Sequence, residues 1–231
     1  MSGALGQIWS RTLDVLFPPR CVGCGNFGAF LCEACLSEAP YAIGPRCPRC
    51  WKAWRGDACS DCQRLDSAVV AQRAAFSYDG VARSAVLALK FQGVSALAPE
   101  MARPMAKTLA DWRPAVDIVV PVPLGWLRRR TRGYNQSALL AREVCRTSGL
   151  PLEARALRRA RQTPPQAEQP DEAARRRNIA GAFALGSRPV GGSVLLIDDV
   201  ATTGATLDAC ARVLLDGGAR EVFALTFARE D

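Results

Sequence analysis

The chain of 231 residues is long enough to bury one sizeable core and to carry a small second module. It contains 30 Lys and Arg against 22 Asp and Glu, a net charge of +8, and its lack of histidine excludes His as metal ligand, general base or activator of a nucleophile. No segment reaches the roughly 20 apolar residues of a membrane span, and the N-terminus lacks the pattern of a signal peptide. We therefore expect no membrane span, and an anionic ligand or partner for the excess positive charge.

The first predicted element is an amphipathic helix over residues 4–16, within an N-terminal segment 1–20. Its apolar residues recur at helical spacing, and Pro18 and Pro19 end the pattern. A helix lying on a membrane surface is the alternative. Because Arg11 is the only basic residue of that helix, the sequence favours packing against the protein itself.

Eight of the ten cysteines form four Cys-x-x-Cys pairs within residues 21–66, which we predict to be a double zinc ribbon. Sequential pairing would give two structural zinc sites, although the spacing alone leaves a crossed pairing open. Redox dithiols are disfavoured because no strand precedes the pairs. Reduced thiols that hold metal indicate a cytoplasmic protein. The ligands of the first site would be Cys21, Cys24, Cys32 and Cys35, and those of the second Cys47, Cys50, Cys59 and Cys62.

Residues 67–231 show the alternating strand and helix patterns of an α/β domain. We predict a strand at 74–78, helices at 81–91 and 98–110, and a core strand at 117–123 that ends in prolines. Pro104 should bend the second helix or delay its start. Near the end of the first helix, Lys90 is interpreted as a solvated side chain in preference to an anion ligand. Cys145 and Cys210 fit small buried residues of later helices.

Two arginine-rich segments, at residues 124–136 and 157–177, follow the core strand. Residues 124–177 contain 13 arginines, no lysine and five acidic residues, so their net charge equals that of the whole chain. A solvated face is the bland explanation of such a charge run. Arginine is the side chain that binds phosphate in bidentate fashion, and phosphate binding by these two loops is therefore favoured. Residues 179–183 are predicted to return into the sheet, and 222–228 to form its last strand.

A buried parallel strand at 194–197 leads directly into Asp198 and Asp199 and then into a loop before a helix. Free backbone N–H groups at a helix N-terminus suit a phosphate, whereas two carboxylates suit sugar hydroxyls or a metal ion. The alternative is an ordinary turn with a capping Asp. The loop, which we call the threonine loop, consists of Ala201, Thr202, Thr203, Gly204, Ala205 and Thr206.

The stretch 194–206 resembles the signature with which type I phosphoribosyltransferases bind 5-phosphoribosyl-1-pyrophosphate (PRPP). The resemblance implies that Asp198 and Asp199 hold the ribose hydroxyls and that the threonine loop holds the 5′-phosphate. Mg²⁺ would bridge pyrophosphate and sugar oxygens. Arg132 and Arg175 would assist departure of pyrophosphate, and with the two acids they form the predicted catalytic set.

Nearly the whole chain resembles the competence-associated ComF family, in which a cysteine ribbon precedes a type I phosphoribosyltransferase domain. The resemblance depends on the cysteine pairs, on residues 89–93, 120–124, 132–136, 163–166 and 175–183, and on the acidic pair with its loop. It implies an α/β fold, with a phosphoribosyltransferase-like parallel sheet flanked by helices and a small N-terminal zinc-ribbon module with four cysteines to each metal. One departure is Gly125, which stands where the family often has His, so no role of that His is transferred.

The resemblance also assigns two further groups of ligand-binding candidates. The segment after Pro123 would lie near pyrophosphate, and residues 158–178 would form a flexible loop over the site. The pyrophosphate candidates are Arg128, Arg129, Arg130, Gly133 and Asn135, and the flexible-loop candidates are Arg161, Thr163, Gln166 and Asn178.

The predicted function is binding of PRPP or a phosphoribosyl nucleotide with Mg²⁺, in a protein of DNA uptake and natural transformation. A competence helicase that binds the ribbon is implied by the family alone. One alternative is an active phosphoribosyltransferase of nucleotide salvage, whose acceptor the sequence does not name. Another is a single-stranded nucleic-acid-binding protein with a non-catalytic PRPP fold, in which arginines contact the backbone and aromatics stack on bases. The aromatic candidates are Trp51, Trp54, Trp126 and Tyr134.

Overall fold

The computed structural model of the protein describes residues 18–64, 66–161, 179 and 181–231. The predicted N-terminal helix and residues 162–177 of the second arginine segment lie outside these ranges, as does Asn178. Within the described part of the chain, no helix is long and apolar enough to cross a membrane.

Helices and strands alternate after the cysteine-rich module. In the described ranges the helices are α1 (Glu33–Ser37), α2 (Ser60–Arg64), α3 (Gly80–Phe91), α4 (Ala98–Trp112), α5 (Trp126–Arg132), α6 (Gln136–Ser148) and α7 (Ala205–Asp216). The strands are β1 (Gln72–Ser77), β2 (Ile118–Pro121), β3 (Leu157–Arg159), β4 (Phe183–Leu185), β5 (Gly192–Ala201) and β6 (Ala219–Arg229). A 3₁₀ turn at Ser95–Leu97 joins α3 to α4. The α4 helix begins at Ala98 and continues through Pro104.

Four of the strands form one parallel sheet, in the order β1-β6-β5-β2. The central strand β5 is apolar on both faces, as expected of a parallel strand covered on both sides. Leu195 and Ile197 belong to the core beneath α3, α4 and α6. Val194 and Leu196 belong to the opposite core, beneath α7. The α/β class and the parallel sheet flanked by helices are therefore confirmed.

Two expectations for the second half of the chain were wrong. The segment after residue 179 does not return into the parallel sheet, because β4 pairs antiparallel with β3 in a separate two-stranded sheet. The first arginine segment is not a loop throughout, since its arginines lie on the helix α5. Helical geometry places Arg128 and Arg132 on one side of α5, whereas Arg129 and Arg130 face other directions.

The cysteine module packs against the edge of the sheet at β1. Backbone bonds join the two, with the Ala42 N–H donating to Ala75 O at 3.0 Å and the Ser77 N–H donating to Pro40 O at 2.7 Å. On the α3 side, Gly23 permits close approach, because a Cβ there would lie only 2.8 Å from Val81 Cγ2. The small N-terminal cysteine module of the predicted fold is thus present and joined to the α/β domain.

Candidate functional site

The eight ligand cysteines form two clusters, and the sequential pairing is confirmed. In each cluster the four sulfur atoms lie within 4.8 Å of one another. Cys24 Sγ and Cys32 Sγ are 3.8 Å apart in the first, and Cys50 Sγ and Cys59 Sγ are 3.6 Å apart in the second. Tetrahedral zinc with Zn–S bonds of about 2.3 Å requires sulfur separations of about 3.8 Å. The clusters therefore fit structural zinc with four protein ligands each.

Backbone N–H groups stabilise the thiolate form of one cysteine in each cluster. The Cys32 N–H donates to Cys21 Sγ at 3.4 Å, and the Cys59 N–H donates to Cys47 Sγ at 3.3 Å. Burial alone would raise the pKa of Cys21 and Cys47, but the amide bonds outweigh burial and lower each to about 6. Such sulfurs are poised to bind metal as thiolates at neutral pH.

A cavity of about 900 Å³ opens at the C-terminal ends of β2 and β5, where the acidic pair lies. Asp198 is 8% exposed and Asp199 is 2% exposed, and both line this cavity, which we call the carboxylate cavity. Ligands of α/β sheets bind at this end of parallel strands, and the volume falls within the range of about 300–1,000 Å³ typical of ligand pockets.

Side chains from two helices hold the carboxylates, and the Asp199 N–H also donates to Asp198 Oδ1 at 2.9 Å. The Ser137 hydroxyl, at the start of α6, donates to Asp198 Oδ1 at 2.7 Å. The Lys90 ammonium lies 2.9 Å from Asp199 Oδ1, and its side chain is only 20% exposed. The interpretation of Lys90 as a solvated lysine was therefore wrong, because α3 packs its last turn against the end of β5. Asp199 Oδ2 has no hydrogen-bond partner among the described residues and is buried.

Asp198 is the unusual acid of the pair. Burial raises its pKa, and the neighbouring Asp199 charge raises it further, to about 7, although Lys90 and the Ser137 hydrogen bond act in the opposite direction. A buried pair of carboxylates beside one cation resists full ionisation. The cavity therefore holds an acid that titrates near neutral pH.

The threonine loop connects β5 to α7 as predicted. Gly204 forms the N-cap of α7 with φ +78°, a left-handed conformation that a side chain would strain. The Thr203 hydroxyl accepts from the Ala205 N–H at 3.3 Å. Thr202 and Thr206 line the carboxylate cavity, whereas Thr203 and Gly204 do not, and Ala201 and Ala205 are buried.

Guanidinium groups also line the cavity, and we call them the arginine wall. They belong to Arg128 and Arg132 of α5 and to Arg159 of β3. Arg132 donates to Gln136 Oε1 at 2.5 Å and lies 5.5 Å from the centre of the Phe91 ring. Burial lowers the pKa of Arg132, and the Asp199 charge opposes that effect. Acids, hydroxyls and arginines thus surround one space.

The structure separates the other candidates. Asn135 lines the cavity, where its side chain donates to Val122 O at 3.0 Å and caps α6. Arg129 and Arg130 are exposed on other faces of α5, and Arg161 is exposed after β3. Gly133 ends α5. The roles of Thr163, Gln166, Arg175 and Asn178 stay predictions, since these residues lie outside the described ranges.

Sequence reasoning missed Ser137 as a neighbour of the acids and interpreted Lys90 as solvated. It marked Arg159 only as one arginine of the segment 157–177. Nothing in the local pattern distinguishes Ser137 and Lys90 from ordinary helix residues. The motif 89–93 is the one signal that marked Lys90. The replaced position Gly125 is the N-cap of α5 and does not line the cavity.

Comparison with known proteins supports both parts of the chain. The double zinc ribbon domain family matches residues 12–64. The competence protein ComFC of Bacillus subtilis is 29% identical over 208 residues, which cover 86% of this chain and 84% of that protein. The DNA utilization protein YhgH of Salmonella typhi is 35% identical over 140 residues, or 58% of this chain. The chain aligns with 61% of the length of YhgH, less than two thirds.

Solved structures of phosphoribosyltransferases are among the matches in three dimensions. A purine phosphoribosyltransferase from Pyrococcus horikoshii is 16% identical and covers 56% of this chain and 71% of its own, with a TM-score of 0.35. The glutamine PRPP amidotransferase of B. subtilis is 23% identical and covers 55% of this chain and 26% of its own, with a TM-score of 0.36. The sequence comparisons confirm the resemblance stated above: the chain is a homologue of ComFC and YhgH with an N-terminal double zinc ribbon domain.

Proposed function

We propose that the protein binds PRPP, or a phosphoribosyl nucleotide, in the carboxylate cavity together with Mg²⁺. The observation that carries the proposal is the meeting of three chemistries around one space: Asp198 and Asp199 at the strand end, Thr202 and Thr206 of the threonine loop, and arginines on α5 and β3. Each part of PRPP finds a matching group there.

The ribose is assigned to the acids and the 5′-phosphate to the threonine loop. Carboxylates repel phosphate but accept hydrogen bonds from the 2′ and 3′ hydroxyls. Backbone N–H groups at the start of α7, with the hydroxyls of Thr202 and Thr206, suit a phosphate dianion. Pyrophosphate would lie near Arg128, Arg132 and Arg159, where guanidinium groups offset its charge.

The cavity also fits Mg²⁺, which proteins bind through one or two carboxylates together with substrate phosphates. Asp199 Oδ2, buried and without a partner among the described residues, is a donor of the right kind. When bound, the metal would offset the charge that develops on departing pyrophosphate. A cation at Asp199 competes with the Lys90 ammonium, so we expect ligand binding to change the Lys90–Asp199 pair.

If a reaction follows, it is displacement of pyrophosphate at the anomeric carbon by an acceptor nucleophile. The protein would orient the ribose through the acids and stabilise the leaving group through Arg128, Arg132 and Arg159. A base for the acceptor is not evident among the side chains that line the described cavity. Binding is therefore proposed first, with catalysis as its extension.

The names of the homologues support a role in DNA uptake and use. ComFC is named a competence protein, and YhgH a DNA utilization protein. We propose a corresponding role for this chain, in the cytoplasm, where PRPP and incoming single strands would meet.

A titration with PRPP tests the binding proposal. We expect saturable binding near one equivalent that requires Mg²⁺ and is lost in D198N/D199N. The matched control D117N removes the charge of an exposed aspartate outside the cavity and should bind as the wild type does. Absence of binding to the folded wild-type protein would contradict the proposal. Release of pyrophosphate on addition of an acceptor would establish catalysis.

A second candidate function, binding of single-stranded nucleic acid, is favoured by two exposed aromatic side chains. Phe91 is 73% exposed and Trp126 is 63% exposed, beside the arginines of α5. Such rings can stack on bases while arginines contact the backbone. The other aromatic candidates are less suited: the Tyr134 hydroxyl donates to Leu89 O and Trp51 lies against Arg73, while Trp54 is 40% exposed.

The two functions separate in a binding assay with oligonucleotides. Stacking predicts that F91A/W126A weakens single-strand affinity by about 1–3 kcal/mol per lost stack. W126A alone, whose side chain does not line the carboxylate cavity, should leave PRPP binding intact. D199N should weaken PRPP binding and leave single-strand affinity unchanged. Oligonucleotide affinity that is unchanged in F91A/W126A would remove this candidate.

A further inference from the structure

A second, smaller cavity of about 200 Å³ lies between the second cysteine cluster and the threonine loop. Cys50 and Cys62 line it on the ribbon side, and Thr202, Thr203 and Gly204 line it on the other. The threonine loop therefore borders both cavities: Thr202 and Thr206 line the carboxylate cavity, and Thr202, Thr203 and Gly204 line the one beside the second cysteine cluster.

Arg229 lies between these two surfaces. It is the last residue of β6, is 4% exposed and pairs in register with Ala201 of β5. Its Nη1 donates to the carbonyl oxygen of Thr202. Its Nε is buried without a hydrogen-bond partner among the described residues.

The Arg229 side chain also lines the small cavity together with Cys50 and Cys62 of the second cluster. Four thiolates on a zinc ion carry a net charge of −2, which a buried guanidinium nearby would partly offset. Arg229 thus borders the second cysteine cluster and donates to the backbone of the threonine loop.

The second cluster is itself held firmly against the sheet. The Gln72 N–H donates to Arg49 O at 2.7 Å, and Arg73 Nη1 donates to Pro48 O at 2.9 Å. Arg73 also lies 4.1 Å from the centre of the Trp51 ring. The knuckle that contains Cys47 and Cys50 is therefore bonded to β1, the neighbour of the strand β6 that ends in Arg229.

The first cluster has no comparable connection to the loop within the described residues. It packs on the α3 and α4 side, where Gly23 approaches Val81 and Glu33 pairs with Arg103. None of its cysteines lines either cavity. Any influence of metal on the threonine loop should therefore come from the second cluster.

We propose that Arg229 is a positioning residue that couples metal at the second cysteine cluster to the threonine loop. It thereby holds the loop in the conformation that binds phosphate. This inference rests on the proposed function, since it concerns the 5′-phosphate part of that site. The coupling is reciprocal: metal at the second cluster raises the affinity for phosphate, and bound phosphate raises the affinity for that metal by the same factor.

The experiment compares wild type, R229Q and the matched control R220Q, which carries the same substitution at the other end of β6. Ribose 5-phosphate probes the threonine loop, and pyrophosphate with Mg²⁺ probes the arginine wall. We expect R229Q to weaken ribose 5-phosphate binding about tenfold, within the usual range of coupling between sites. Pyrophosphate affinity should stay unchanged, and R220Q should match the wild type for both ligands.

A second readout follows the metal directly. In protein loaded with ¹¹³Cd, ribose 5-phosphate should shift the resonance of the second cluster and leave that of the first in place. The resonances are assigned with C24S, which alters the first cluster alone. In R229Q the ligand-induced shift should disappear. If R229Q does not fold, R229K, which keeps the charge but not the planar fork, replaces it with the same expected direction.

The outcomes separate the two proposals. Wild-type protein that binds neither ribose 5-phosphate nor PRPP would overturn the proposed function, and this inference with it. Wild-type binding of ribose 5-phosphate that R229Q leaves unchanged, with no shift at the second cluster, would overturn the inference alone. An equal loss of pyrophosphate affinity in R229Q would also overturn it, because general damage to the site would then explain both.

Discussion

The two cysteine clusters and the carboxylate cavity are built in opposite ways. Each cluster takes its four ligands from one short stretch of chain, and the four cysteines leave no ligand position of a tetrahedral metal open. The cavity takes its polar groups from α3, α5, α6, β3, β5 and the threonine loop, and it stays open. The comparison teaches that local spacing identifies the ligands of a structural metal site, whereas a ligand site depends on how distant segments pack.

The largest effect should come from the clusters. C47S removes one thiolate from the second cluster, whose Cys47 is fully buried. Because zinc binding contributes folding free energy directly, we expect loss of one zinc equivalent and several kcal/mol of stability. Elemental analysis and thermal unfolding measure both. C145S, which alters a cysteine outside the clusters, is the control and should retain about two zinc ions.

If C47S kept both metals and its melting temperature, the clusters would not be structural. The contrast between a structural metal site and an open ligand site would then no longer hold.

The next effect concerns the ion pair between Lys90 and Asp199, which lies beside the carboxylate cavity. K90M leaves Asp199 buried without its cation, and breaking a buried pair costs about 3 kcal/mol. The double variant K90M/D199N removes both charges and should regain most of that loss. Denaturant unfolding of the two variants gives the free energies. Equal stability of K90M and wild type would show that the pair is not needed in the unliganded protein.

The Lys90–Asp199 pair also illustrates why some parts of the molecule could be predicted from sequence and others could not. The cysteine pairs and the strand with its acidic pair and loop are contiguous, so their local pattern specifies them. The contact of Lys90 with Asp199 depends on the packing of α3 against the end of β5. In sequence, a lysine at a helix end looks the same whether it is solvated or buried.

The arginine segments show the same limit. Their composition predicted an anion site, but the pattern did not reveal that α5 is helical from Trp126 to Arg132. The return of the chain after residue 179 was assigned to the wrong sheet, because an apolar run of that length fits either partner. Long-range pairing with β3 decided between them.

The geometry of α5 sharpens the comparison further. Arg128 lines the cavity, whereas Arg130 is exposed on another face. R128A should weaken binding of pyrophosphate with Mg²⁺ about tenfold, which corresponds to the loss of one charge-assisted contact. R130A is the matched control and should change it less than twofold. Equal losses in both variants would indicate a diffuse electrostatic effect instead of a site.

The last effect is a pH dependence that the clusters should not share. The pKa of Asp198 is raised to about 7 in the folded protein from an ordinary value near 3.8. The protonated acid therefore stabilises the fold fully below about pH 4, and this contribution is lost as pH rises through 7. D198N lacks that loss, so its stability relative to wild type should increase from pH 4 to pH 8. A stability difference that stays constant over this range would contradict the assignment.

The central claim is that one cavity holds both ends of a single phosphorylated pentose. The most direct measurement is competition: ribose 5-phosphate and pyrophosphate are bound together in the presence of Mg²⁺, and PRPP is then added. We predict that the two smaller ligands bind simultaneously and that one equivalent of PRPP displaces both. Displacement of only one of them, or of neither, would contradict the claim.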